Sequence, residues 1–225
     1  MVDRLYSFFI SGGQPRRGVR SFHLLFGDIQ NLARTLYEDE LLGAFESDLN
    51  NYIGQSTSNG FFVHAGVVGW KGRAIVIPGV SHCGKTMLVK EFLQHGASYY
   101  SDEFAVFDER GYVSAFAKPL GIRDEISQRQ VRILPKEFGN ETGVEALPVG
   151  LLLFTRYQEF ASWKPKVMTT GGGVLGLLAN ALAAREQPER ALTILERVAR
   201  GAQILTGERG HARDVVQGVL DRLTN

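Results

Sequence analysis

Gly79-Val-Ser-His-Cys-Gly-Lys-Thr86 matches G-x-x-x-x-G-K-[ST], the pattern of a loop that cradles phosphates between a strand and a helix. Gly79 and Gly84 permit the tight turn that points successive backbone N–H groups at one anion. Lys85 adds a mobile cation for the outer phosphates, and the Thr86 hydroxyl suits the coordination shell of Mg2+. The flanks agree. Residues 73–78 form a short apolar run of strand type, and residues 86–94 have helical spacing, with Met87 in the first turn and Gly96 as a stop signal. Such a helix turns its positive dipole end toward the same anion. Gly79, Ser81, His82, Cys83, Gly84, Lys85, Thr86 and Met87 are therefore the residues expected around a bound nucleoside triphosphate. A chance glycine-rich turn is the bland alternative, and the strand–loop–helix context argues against it.

The chain has 225 residues, enough for one sizeable core, alone or with a small appendage. Its 44% hydrophobic and 22% charged residues are ordinary for a globular protein. A net charge of +1 makes no electrostatic case for nucleic acid or an acidic membrane surface. A single cysteine, Cys83, excludes an internal disulfide, and no apolar run is long enough to span a bilayer. The expectation is a cytoplasmic protein with no nucleic-acid or membrane partner.

Outward from the loop, residues 4–10 and 19–26 read as two strands, and residues 31–54 as a helical stripe broken at most once. The polar stretch 56–60 is the best boundary, dividing a small N-terminal α+β segment (1–58), expected to pack on the core, from a main domain (59–225). Residues 61–68 and 73–77 flank a Gly69–Gly72 hairpin turn. After the loop helix come a strand at 98–107, a turn at Asp108–Gly111 and a return strand at 112–117. Residues 120–132 are ambiguous, and 149–157 read as a buried strand. Helices are predicted near 173–185, 188–200 and 212–223, with a short strand near 203–206. The hairpins point to a mixed sheet, because parallel strands need long crossovers.

Two acidic pairs compete for a metal-site role beside Thr86. Asp108, after the apolar run 104–107, imitates the strand-end carboxylate of the common phosphate-loop fold, yet Asp108-Glu-Arg-Gly111 is also good turn chemistry. Asp102-Glu103 lies where a strand returning from the helix reaches the loop again, and would otherwise be a solvated pair.

Residues 64–86 and 96–103, His64-Ala-Gly through Gly84-Lys-Thr86 and Gly96-Ala-Ser-Tyr-Tyr-Ser-Asp-Glu103, resemble the catalytic domain of bacterial HPr serine kinase/phosphorylases. They are still more similar to the shorter HPr-kinase-related proteins. The resemblance covers about residues 60–125 and implies a mixed-sheet α/β fold like phosphoenolpyruvate carboxykinase, with C-terminal helices. It implies phosphoryl transfer from ATP to a serine hydroxyl of a small protein or peptide, such as a lasso-peptide precursor. By position, Asp102 would accept the hydroxyl proton, Glu103 would hold Mg2+ with Thr86, and His64 and Lys85 would lie at the transferring phosphate. Arg123, after Lys118-Pro119, would clamp a phosphate, and the family's habit of assembly implies a homo-oligomer. Three departures qualify it. The second acid is Glu rather than Asp, only residues 1–58 stand in place of a larger N-terminal domain, and no segment matches the one tied to the phosphorylase reaction. Two rivals remain at this level: a small-molecule kinase or NTPase of the common P-loop kind using Asp108, and a non-catalytic nucleotide-binding module.

Overall fold

Near the N-terminus, β1 (Tyr6–Phe9), β2 (His23–Gly27) and β3 (Gln30–Thr35) pair antiparallel in that order, followed by helix α1 (Glu38–Ser56). The expectation of helix from residue 31 fails over its first five residues. The Asp28-Ile29 turn, with Asp28 at φ 53°, reverses the chain into β3, which pairs along β2. Leu32 and Leu36 have helical spacing, but spacing of that length is no guide once a tight hairpin turn precedes it. The helix begins where Glu38, Asp39 and Glu40 place negative charge against its positive end. The computed structural model describes residues 3–12, 20–79, 84–123, 130–138 and 141–224. They fall into two compact units, Met1–Ser56 and Thr57–Asn225.

The second unit is built on the hairpin of β4 (Phe61–Trp70) and β5 (Arg73–Pro78). Its turn places Lys71 (φ 48°) and Gly72 (φ 76°) both in the left-handed region, the geometry that suits a two-residue hairpin. Helix α2 (Lys85–Gln94) follows the phosphate loop, and Gly96 (φ 89°) then turns the chain back into β6 (Ser98–Ser101) and β7 (Phe104–Phe107). The single strand expected over 98–107 is thus two, interrupted at Asp102-Glu103. Strand β8 (Tyr112–Ser114) returns from β7, and β9 (Leu120–Arg123) pairs antiparallel with β10 (Gln130–Ile133). A 3-10 turn at Pro135–Phe138 leads toward the long β11 (Leu147–Tyr157). The short β12 (Lys166–Val167) precedes α3 (Thr170–Leu178) and α4 (Pro188–Gly201), and β13 (Gln203–Arg209) and α5 (Arg213–Thr224) complete the unit. The predicted helix at 173–185 is shorter and starts earlier, because the Thr169 hydroxyl caps it by accepting the Gly172 N–H at 3.2 Å.

The main sheet runs β12-β13-β11-β5-β4-β7-β8, with β6 beside β4. Strand β11 is parallel to both β5 and β13, while β4 is antiparallel to β5, so the expected mixed sheet is present. The start of β11 also pairs antiparallel with β8, through Leu147↔Val113. Pairing therefore closes a circuit of five strands: β11, β5, β4, β7, β8 and back to β11. Alternate residues face opposite sides. Phe61, Val63, Ala65, Val67 and Val76 pack with Leu177 of α3 and Ile194, Leu195 and Val198 of α4. Val68, Ile75 and Ile77 pack with Leu88, Val89 and Phe92 of α2 and Val215, Val216 and Val219 of α5. Two layers of helix thus cover one sheet and bury its apolar faces. Among the described residues no helix is long and apolar enough to cross a membrane.

Candidate functional site

Three parallel strands, β5, β11 and β13, end on the same edge of the sheet, the edge where open α/β sheets bind ligands. Strand β5 ends at Pro78, and the N–H of Gly79 donates to the His64 carbonyl at 3.1 Å. His64 is therefore the cross-strand neighbour of the first loop glycine. Gly84 closes the loop at φ 84° and serves as the N-cap of α2. Ser81, His82 and Cys83, expected around the nucleotide, lie outside the described residues. Lys85 is buried (8% exposed), Thr86 is half-buried, and Met87 is exposed on the first turn.

The helix can sit close because Gly66 of β4 has no side chain. A Cβ there would lie 2.7 Å from Val89 Cγ2. Opposite Ala65-Gly66, between the pairs His64↔Phe104 and Val67↔Ser101, falls the interruption at Asp102-Glu103. Ser101, wholly buried, shapes it: its hydroxyl accepts the N–H groups of Glu103 (3.1 Å) and Phe104 (3.0 Å). Released from strand alternation, the two carboxylates diverge. Asp102 turns to the helix, where Thr86 Oγ1 donates to its Oδ2 at 2.9 Å. Glu103 turns away, its Oε2 accepting from Lys118 Nζ at 2.8 Å.

Asp102 is electrostatically the most unusual group. Burial pushes its carboxyl up to about 7, and the nearby Glu103 charge adds to the rise, while the Thr86 hydroxyl and the Lys85 charge oppose it. Its Oδ1 is buried without a hydrogen-bond partner. An orphaned buried carboxylate oxygen is costly unless something binds it. Beside a loop hydroxyl it fits a divalent cation. Mg2+ in phosphotransferases takes one or two carboxylates and completes its shell with water and phosphate. Among the described residues no cluster of three His, Cys, Asp or Glu exists that would hold a metal without phosphate. His64 is shifted down, first by burial and then by the Lys85 charge, so its ring is neutral at pH 7. The ring lies 4.6 Å from that of Phe104.

Thus the structure brings together Gly79, Gly84, Lys85, Thr86, His64 and Asp102, with Glu103 set toward Lys118. Arg123 ends β9, but its side chain is outside the described residues. Asp108 is committed elsewhere: its Oδ1 accepts the N–H groups of Arg110 (2.9 Å) and Tyr112 (2.8 Å), so it shapes the turn into β8. One site residue was missed. Arg209, at the end of β13 and only 2% exposed, donates from Nη2 to the Gly84 carbonyl at 2.9 Å. Its only sequence signal was a charge three residues beyond the predicted strand near 203–206.

No protein-family model matches the chain, and no curated protein does. Among solved structures it is similar to the HPr(Ser) kinase/phosphatase from Coxiella burnetii, at 15% identity over 72% of this chain and 93% of that one, with a TM-score of 0.42. A likeness this distant says nothing about chemistry, which has to come from the residues described above.

Proposed function

We propose that the protein is an ATP- and Mg2+-dependent kinase that transfers a phosphoryl group to a hydroxyl. The acceptor we propose is a serine of a small cytoplasmic protein or peptide, a ribosomally made peptide precursor included. One observation carries the reading: the Thr86 hydroxyl of the phosphate loop bonds Asp102, whose second oxygen is buried and unpartnered. Nucleotide binding alone does not require a half-buried carboxylate whose affinity for a proton is raised to about 7. That value suits a group that must accept a proton near neutrality.

The loop backbone and the α2 N-terminus receive the phosphates, with Lys85 placed to meet their outer oxygens. Thr86 and the carboxylate of Glu103 would hold Mg2+, which when bound neutralises charge on the phosphates. Asp102 is placed to take the proton of the attacking hydroxyl, and Glu103 is held by Lys118. Neutral His64 can offer a hydrogen bond without adding charge. Because a phosphoryl-transfer transition state is loose, positioning and charge neutralisation are the main demands on the protein. The rival that needs Asp108 beside the loop is disfavoured by that residue's place in the turn.

The test is transfer from γ-labelled ATP with Mg2+ to a panel of seryl peptides, small carrier proteins and water. Label on a hydroxyl acceptor, lost in Asp102→Asn and retained in Asp108→Asn, is the expected result. Tight ATP binding without transfer to any acceptor, water included, would make the chain a nucleotide-binding module instead.

A further inference from the structure

Arg209 is the bulkiest fully buried side chain among the described residues, and its charge makes that burial costly unless its donors are satisfied. Its donors are spread over three elements. Nη2 reaches the Gly84 carbonyl (2.9 Å), Nη1 the Gly210 carbonyl (3.0 Å) and Nε the Thr155 hydroxyl on β11 (3.4 Å). The guanidinium carbon lies 5.8 Å from the centre of the Tyr157 ring, two residues further along the same strand. The fork therefore ties the ends of β11 and β13 to the last glycine of the phosphate loop, across 125 residues of sequence.

Gly84 is shaped for this contact as well as for its own backbone. A Cβ at Gly84 would stand 2.5 Å from Arg209 Nη2, and φ is 84°. The carbonyl that Arg209 grips also accepts the Leu88 N–H at 3.4 Å, so the grip falls on the first hydrogen bond of α2. In a phosphate loop the N–H groups face the anion and the carbonyls face away. Arg209 grips the Gly84 carbonyl, a group that does not donate to the anion. It also adds a permanent positive charge where the α2 N-terminus and Lys85 are already positive.

We infer that Arg209 is a positioning residue for polyphosphate: its fork fixes the Gly84 turn, and its charge beside Gly84 makes the site favour a multiply charged anion. This rests on the nucleotide-binding part of the function proposed above. A bound triphosphate offsets the crowding of like charge, so the residue acts on binding as well as on folding.

Titration calorimetry of ATP on wild type, Arg209→Met and Arg209→Lys, with unfolding midpoints measured with and without ATP, tests this. In a folded Arg209→Met protein the Kd for ATP rises at least tenfold and the ATP-induced rise in midpoint shrinks. Arg209→Lys, which keeps charge but loses the fork, falls between Met and wild type. A folded Arg209→Met variant that binds ATP within threefold of wild type overturns the inference, as does a weakening short of tenfold with an unchanged ATP-induced shift. If the Met variant does not fold, Lys decides: a folded Lys variant with weakened ATP binding supports positioning, and normal binding or failure to fold overturns it. Failure of the wild type itself to bind ATP removes the proposed function first, and that outcome is recognisable before any variant is made.

Discussion

The dipeptide Asp-Glu occurs twice within eight residues, at 102–103 and 108–109, on either side of the four-residue strand β7. The copies stand roughly 20 Å apart along the strand direction. At the first, a buried serine absorbs the backbone N–H groups, and the carboxylates are left to face Thr86 and Lys118. At the second the carboxylate itself absorbs them: Asp108 caps the turn, and Glu109 pairs with Arg190 at 2.8 Å. A carboxylate spent on its own backbone is unavailable for chemistry. Ser101 is what frees Asp102.

The largest difference between the copies is expected in phosphoryl transfer. Asp102→Asn should lower the rate by about 10³-fold, in keeping with losing a positioned proton acceptor. Asp108→Asn should leave it within twofold; the reverse ranking would return the site to the common phosphate-loop arrangement. Next comes stability. Asp108→Ala removes the acceptor for two turn N–H groups and should cost about 2 kcal/mol in denaturant unfolding, with ATP affinity unchanged. Lys118→Met should reduce transfer by about tenfold and raise the Mg2+ concentration needed for half-maximal rate, since it releases Glu103 from its held position. An unchanged Mg2+ dependence would demote the Lys118–Glu103 pair to a partly exposed ion pair worth little.

The last effect is in pH. Asp102 binds its proton more tightly folded than unfolded, so its contribution to stability is whole below about pH 4 and lost as pH rises to about 7. Wild type should therefore lose stability relative to Asp102→Asn across that window, with a flat difference above it. Urea titrations of both proteins at pH 4, 5.5, 7 and 8 give the comparison. A difference independent of pH would mean that Asp102 is solvated.

Short-range signals made much of this legible. The Lys71-Gly72 hairpin turn, the apolar strands β4 and β5 and the helix after the loop depend on neighbours in sequence, and there reading and structure agree. The strand break at Asp102-Glu103 was not legible, because it depends on a hydroxyl turning back onto its own backbone within an otherwise apolar run. Residues 31–35 were misread because hairpin pairing overrode a helical spacing only two leucines long. Arg209 was out of reach for a different reason: its meaning comes from a partner 125 residues away. The roles of Glu103 and Lys118 depend likewise on a side-chain pairing that spacing cannot express.

The circuit of five paired strands has a consequence for how the chain is made. Residues 61–114 emerge first and leave β5 and β8 each with one unpaired edge, and both edges wait for the same later segment, residues 147–152. Until β11 leaves the ribosome, the nascent sheet is open at two places and exposed to pairing with other chains. Its arrival seals both at once, so the step that closes the circuit also braces the strand that carries the phosphate loop.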